Sequence, residues 1–584
     1  MRLHLFDMRR NGLALLVVFG ATLAVFGPVV HHEFLNLDDD RNVYENPDLD
    51  PVTFSSVSHV WRAPYFHLYI PVTHTVWAIL ASVAHLDRPA PDGWKLSPGV
   101  FHAANLALHL VNSLLVFAIL KRLARRVGAA CAGSLLFALH PVQVEPVAWV
   151  TGMKDLLGGF WGLVAIWQYL RYARTATAVA PGADRRSAGS AGRPTLHYAI
   201  ATVAFTLGLL SKPTTVVVPL LLGWMAAWRR ERSPRQILRS LGPWIALGAA
   251  CVILNAMAQV APKSVAPVWA RPFVAADAIA FYLRKLALPL ELAVDYGRTP
   301  ERVLQESWVY LTPLVPLGIL AAAWRWRLQR PWIGGSSGVF VAGILPVLGF
   351  VPFGYQDVST VADRYLYLAM LGPAMALCGL LARNWRKWVA VGCVVYLACL
   401  GIRSAVLQRH WRTSFTLLEH ALEINPRSRL ARYNLGIAHA TAQQPGRAAA
   451  HFAEILRMDP ADPLAHNALG MALAALGRTE EGCGHYAKAI ELDPELVDAH
   501  LNLAHCLVTQ ARLDEAAARY RMVLGISPQN VLAHFNLGNV LAASGELDAA
   551  IRHLAEAVRI EPGFEAARRH LTRAEAERRA QGEP

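Results

Sequence analysis

Eleven apolar stretches of roughly bilayer-crossing length constrain this chain more than any other feature. A hydrocarbon core about 30 Å thick takes about 20 helical residues to cross, and only helices or closed barrels satisfy every backbone group inside it. The stretches lie near 13–30, 101–120, 129–150, 156–170, 196–210, 214–228, 241–260, 308–324, 339–353, 366–381 and 388–402. The first follows Arg9 and Arg10 and lacks a small-x-small cleavage site, so it is expected to stay as an anchor rather than be removed as a signal peptide.

Lys and Arg collect in the connections 121–126, 171–193, 229–239, 325–330 and 383–387. Basic loops stay cytoplasmic, so eleven spans with a cytoplasmic N-terminus put all five inside. The loop after the first span and everything beyond 403 then fall outside, in the periplasm of an inner membrane or its extracytoplasmic equivalent. Residues 273–292 hold Arg284, Lys285 and Glu291 and read as an interfacial element, not a twelfth span. The net charge of +14 is mostly this loop bias, and no nucleic-acid partner is implied. Seven Cys with no C-x-x-C pair argue against a disulfide framework or zinc site, and Cys483 and Cys506 read as small buried side chains.

Past Arg403 the pattern changes: Pro426, Pro460, Pro494, Pro528 and Pro562 recur every 34 residues. In the same register stand Leu435, Leu469, Leu503 and Leu537, then the small residues Gly436, Gly470, Ala504 and Gly538. Phe452, Tyr486, Tyr520 and Leu554 come eight residues before each Pro. This resembles the tetratricopeptide repeat, in which small residues let paired helices approach and Pro ends the second helix. The expected fold is all-α: a polytopic membrane domain over 1–402, a lead-in half-repeat over 403–426, four repeats over 427–562, and a polar capping helix and tail over 563–584. Asn434, Asn502 and Asn536 precede the repeated Leu, with Ala468 breaking the series. They are similar to the asparagine ladder in the repeat domain of O-GlcNAc transferases, which holds an extended peptide; the alternative is that they bridge neighbouring helices.

The membrane half carries polar residues in ordered places. His102, Asn105, His109 and Asn112 share one helical face, which suits interhelical hydrogen bonds better than a metal site, since no carboxylate joins them. The loop from Glu33 to Asp50 has seven acidic residues against the single Arg41, with Asp38, Asp39 and Asp40 in succession. Such a cluster at the membrane edge suits a general base acting on a lipid-borne substrate, or a divalent metal. Lys154, Lys212, the pair Arg284 and Lys285, and Arg364 fall on the outer side, against the loop bias, where an anionic lipid phosphate is the natural partner and snorkelling to headgroups the competing reading.

The acidic pair followed by Asn46-Pro47-Asp48, the run His140-Pro141 to Glu145, Trp149 and Lys154-Asp155, then Lys212-Pro213 and Asp363-Arg364-Tyr365, resembles the transmembrane-and-TPR O-mannosyltransferase-like family of GT-C glycosyltransferases. The resemblance runs through membrane half and repeats in the same order. It implies inverting transfer of a mannose-like sugar from a polyprenyl-phosphate carrier to a hydroxyl, of protein Ser or Thr, with Asp38 and Asp39 as catalytic residues. Lys154, Lys212, Arg284, Lys285 and Arg364 would hold the donor phosphate, and the repeats would recruit the acceptor. Ile70 stands where many relatives have a basic residue before Pro-x-Thr, so His67 or His74 would substitute. Two other classes fit less well. A membrane-anchored repeat scaffold needs one span rather than eleven, and a lipid-linked sugar transporter would show related halves, which 1–402 lacks.

Overall fold

The computed structural model describes residues 2–582 apart from 67, 89–92, 179–191, 230–231, 260–261, 263–264 and 384–385. His67 and part of the basic connection 171–193 therefore lie outside the described residues. The chain is all-α: among the described residues the only β pairings are the isolated bridges Tyr65 to Leu68 and His85 to Leu96. It divides into two compact units, Met1–Ser428 and Arg429–Pro584.

In the first unit, six helices among the described residues are long and apolar enough to cross a membrane: Arg9–His31, Pro98–Ala124, Pro194–Ser211, Pro234–Ala258, Ser307–Arg325 and Lys387–Trp411. A seventh arises if Val127–Leu139 and Pro141–Ala148, bent by 53° at His140, count as one. This is fewer than the eleven expected: the stretch 156–170 lies in Met153–Ala178, which is long enough at 26 residues but too polar, and for three others the reason is helical rise. Val218–Arg229, Pro331–Ile344 and Leu371–Arg383 are 12, 14 and 13 residues long, so at about 1.5 Å per residue each falls short of the hydrocarbon core. Prolines cut the apolar runs there: Pro213 opens a 3-10 turn before Val218, and Pro346 lies in another after Ile344.

The polar stripe on Pro98–Ala124 is wholly buried and fixes that helix to its neighbours. Asn105 Nδ2 donates to Trp149 O at 2.7 Å, and Asn112 Nδ2 to Leu156 O and to the Tyr367 hydroxyl, both at 2.9 Å. His109 reaches Ala138 O at 3.0 Å and the Tyr367 hydroxyl at 3.1 Å. In hydrocarbon these bonds compete with no water, so they lock the registry of the bent 129–155 segment beside them.

The second unit stacks helix pairs in the expected register: Arg429–Thr441 with Pro445–Met458, Pro463–Ala475 with Thr479–Leu492, Val497–Thr509 with Leu513–Ile526, and Val531–Ala543 with Leu547–Ile560, closed by Glu565–Gly582. The small residues stand where bulk cannot. A Cβ on Gly436 would lie 2.6 Å from the Phe452 ring, one on Gly470 2.6 Å from Tyr486, and one on Gly538 2.7 Å from Leu554. One expectation is corrected: Cys483 and Cys506 are joined in a disulfide between Thr479–Leu492 and Val497–Thr509, with Cα atoms 6.1 Å apart. Their 23-residue separation hides the pairing in sequence, because packing of successive helices brings them together.

Two histidine pairs recur across alternate repeats. His466 Nδ1 lies 2.9 Å from His485 Nδ1, and His534 Nδ1 3.0 Å from His553 Nδ1. His466 and His534 each donate Nε2–H to a proline carbonyl, which leaves their Nδ1 atoms facing the partner ring. Burial and the facing His466 push His485 below the ordinary histidine value, and burial with His534 does the same to His553. A lowered folded pKa means that this stability is present above about pH 6.5 and is lost as pH falls below it. Hydrogen exchange of the intact protein at pH 7.5 and 5 is expected to show the repeat amides opening more readily in acid, and H485Q/H553Q to flatten that difference.

Candidate functional site

The bend at His140 builds the site. Pro141 cannot extend the helix, His140 Nδ1 accepts from Val142 N at 3.3 Å, and the chain turns through Val144–Ala148 before re-entering helix at Met153. This delivers Glu145, Trp149, Thr151, Lys154 and Asp155 to one place, beneath the acidic loop. That loop is held by Glu33 N donating to Arg412 O at 3.0 Å and Asn36 N to Ser414 Oγ at 2.9 Å.

Asp38 and Asp39 occupy different environments. Asp39 is fully buried, and its Oδ1 accepts from Thr151 N at 2.9 Å and Thr151 Oγ1 at 2.7 Å, while Oδ2 accepts from Leu35 N at 3.0 Å. Burial raises its pKa to about 7 against the pull of those three donors. Asp38 is partly exposed, and its carboxylate accepts no hydrogen bond from the described residues. Burial raises it above the usual carboxylate range; Lys154, Arg364 and Arg41 pull it back down, and Asp40 pushes it further up. Asp39 thus anchors the loop to Thr151, and Asp38 is the carboxylate turned toward the cations.

Those cations come from three segments. Lys154 lies 5.4 Å from the Trp149 ring centre. Lys212 forms an ion pair with Asp155, and Thr73 Oγ1 holds the preceding Ser211 carbonyl at 2.9 Å. Arg364 is buried, with its guanidinium paired to Glu145, its backbone N donating to the other Glu145 oxygen at 3.0 Å, and the ring of Tyr355 4.3 Å away. Of the remaining predicted cations, Lys285 adjoins this group: it lies 5.2 Å from the Tyr296 ring centre, and the Tyr296 hydroxyl donates to Asp363, next to Arg364, at 2.9 Å. Lys285 Nζ donates to the carbonyls of Leu290 and Glu291 at 2.7 and 2.6 Å, and Arg284 is exposed on the same helix. His74 is buried against Tyr65 and Trp77, with neither ring nitrogen hydrogen-bonded.

A cavity of about 30 Å³ lies among Asp155, Lys212, Arg364 and Tyr365, walled on its far side by Val217, Pro346, Val347 and Leu368. The second oxygen of Asp155 is buried there without a hydrogen bond. The wall segments 214–217 and 343–347 run directly into a much larger apolar groove, about 1180 Å³, lined by Pro219, Leu220, Leu241, Leu317, Leu320 and Leu345 among others. Among the described residues no three His, Cys, Asp or Glu side chains gather in a metal-holding arrangement, and both Asp39 oxygens are occupied by protein donors. Sequence reasoning missed Thr151 and Tyr355. Thr151 lies inside a motif already singled out, whereas nothing in the spacing marks Tyr355.

In the repeats, Asn502 Nδ2 donates to Asn467 Oδ1 of the preceding repeat at 2.9 Å, and Asn434 Nδ2 to Leu430 O of its own helix at 3.0 Å. Asn536 is partly exposed. The bridging alternative thus describes Asn502 as it stands in this structure.

Fold and site together define a helical membrane protein with a buried acid and base cluster and a C-terminal tetratricopeptide solenoid. The tetratricopeptide repeat model matches 402–463, 433–496, 467–531 and 501–563. Among curated proteins the chain is similar to the protein O-mannosyl-transferase TMTC3 of Mus musculus, 24% identical over 408 residues, covering 62% of this chain and 42% of that one. It is similar also to Tmtc2 of Drosophila melanogaster, 28% identical over 225 residues, covering 38% and 21%, and to TMTC1 of Mus musculus, 30% identical over 157 residues, covering 26% and 16%. The matches thus span less than half the length of these relatives. A solved structure with local likeness is that of YrrB, a TPR protein with an unusual peptide-binding site: 22% identity, 32% of this chain, 93% of that one, TM-score 0.24. Over the stretches matched, the chain is thus similar to protein O-mannosyl-transferases, and its C-terminal part carries tetratricopeptide repeats.

Proposed function

We propose that this chain is an inverting membrane glycosyltransferase that moves a mannose-like sugar from a polyprenyl-phosphate carrier to a hydroxyl of a protein Ser or Thr. The observation that carries the reading is the division of labour in the acidic pair: Asp39 is consumed by Thr151 and Leu35, while Asp38 faces Lys154 and Arg364 with its oxygens unengaged. The names of the homologues and the order of the motifs support it.

The acceptor hydroxyl attacks the anomeric carbon, the bond from that carbon to the phosphate oxygen breaks, and its electron pair leaves on the phosphate. Asp38 takes the hydroxyl proton. Lys212 and Arg364 meet the charge growing on the phosphate, which spares the leaving group protonation. To do so they exchange their present partners, Asp155 and Glu145, for the donor. Lys154 keeps Asp38 ionised, and Asp39 positions the loop. The carrier's isoprenoid chain lies in the large apolar groove, which begins where the wall of the Lys212 cavity ends. The bias of Lys and Arg toward the connections supports an outer-face site, and Asn434, Asn502 and Asn536 contribute to acceptor binding in the repeats.

Proteoliposomes given radiolabelled polyprenyl-phosphate mannose and Ser- or Thr-containing peptides should yield labelled peptide. Leu320 lines the groove and is 62% exposed, so L320W narrows it without touching the site. That variant is expected to raise KM for a long-chain donor about tenfold, the effect of losing about 1.4 kcal/mol of binding, and to leave a short-chain donor unaffected. Absence of transfer from every polyprenyl-phosphate sugar tried would remove the proposal.

A further inference from the structure

A second cavity, about 650 Å³, shares no lining residue with the Lys212 cavity and has a different chemistry. Its walls are apolar, with Met225, Trp228, Trp332 and Met375 among them, while Arg126, Arg229, Arg327 and Arg383 complete its lining. No acidic residue is among the described residues that line it. Arginines at helix ends follow from topology alone. What topology does not supply is a cavity of ligand size between them, with a cationic edge and an apolar body.

The depth of this cavity is set by its residues. Arg229 and Arg383 end the helices Val218–Arg229 and Leu371–Arg383, Arg126 caps Val127–Leu139, and Arg327 follows Leu314–Arg325. Four apolar helices thus change to charge at one level, and Trp228 and Trp332 stand at the same level, as aromatic side chains do at a headgroup boundary. The walls are built rather than incidental. Trp228 Nε1 donates to the Pro331 carbonyl, and a Cβ on Gly379 would lie 2.8 Å from the Trp332 side chain, so only glycine leaves room for that indole. Arg383 donates to Gln329 O, and Arg327 stacks over the Trp324 ring at 3.9 Å, which holds both guanidinium groups beside the cavity.

We propose that this cavity binds a phospholipid with a net negative headgroup, its phosphate among the four arginines and its acyl chains along the tryptophan and methionine wall. Charge complementarity selects the occupant. A zwitterionic lipid would bring its own cation against four others, and a soluble anion would leave the apolar wall unused. The inference rests on the membrane setting and not on the proposed sugar transfer.

The test is native mass spectrometry of the full chain in detergent, titrated with phosphatidylglycerol or phosphatidylcholine. Phosphatidylglycerol is expected to bind at least tenfold more tightly. R327Q/R383Q should weaken it about 25-fold, at about fivefold per arginine near a lipid headgroup, and R327K/R383K should recover most of the loss. Met375→Trp fills the cavity without altering charge and should also expel the lipid, with thermal denaturation confirming that the variants remain folded. Equal binding of the two lipids, retention by M375W, or displacement of phosphatidylglycerol by millimolar inorganic phosphate would each overturn the proposal, the last in favour of a soluble anion site.

Discussion

Replacing Asp38 by Asn is expected to lower sugar transfer about a hundred- to ten-thousandfold, the usual worth of a positioned general base, while leaving the protein folded. Its carboxylate accepts no protein hydrogen bond among the described residues, so the amide strands no donor. Asp39→Asn should behave in the opposite way. The one oxygen that the substitution keeps could still accept from Thr151, but the new amide nitrogen would face the Leu35 N–H, leaving a buried donor unpaired at a cost of about 1–3 kcal/mol. Thermal denaturation alongside transfer assays separates the two: full stability with lost activity for D38N, lost stability for D39N. The pH profile gives a third reading. A base works ionised, and burial raises Asp38 above the usual carboxylate range, so activity should fall with decreasing pH at a higher pH than an exposed aspartate would give. Retention of transfer by D38N would end its assignment as the base.

The second large effect is expected at Glu145. Its side chain is 2% exposed and holds Arg364, itself 8% exposed, through both the guanidinium and the backbone N–H. Glu145→Gln preserves shape but leaves a buried cation among Trp149, Tyr355 and Tyr365 without its counter-charge. Breaking one side of such a pair costs about 3–5 kcal/mol, whereas removing both charges together is close to neutral. E145Q should therefore melt well below the parent protein, and E145Q/R364M should regain most of the stability. The double variant should still fail in transfer, because the cation that meets the leaving phosphate is gone. If E145Q denatured like the parent, the pair would not be carrying charge inside the fold.

The repeats were legible residue by residue. A 34-residue period with small residues facing large ones is local information, and Gly436, Gly470 and Gly538 meet Phe452, Tyr486 and Leu554 as the spacing implies. The apolar runs were legible as helices, but not all as spans, since composition counts residues while a membrane measures rise, and Pro141, Pro213 and Pro346 shorten the helical part. Cys483 and Cys506 escaped notice because their partnership runs between repeats.

Sequence alone determined that the chain is helical throughout, that its first part is apolar and its last part periodic, and which short motifs carry charge against the topology rule. Only tertiary structure decided which of two adjacent aspartates is free. Apart from the bond from Leu35 N, which only the folded loop supplies, nothing nearby in sequence distinguishes Asp38 from Asp39. The choice is made by Thr151, 112 residues away, whose N–H and hydroxyl reach one carboxylate and not the other. A buried carboxylate takes its character from the donors and charges around it, and those are assembled by packing from distant segments.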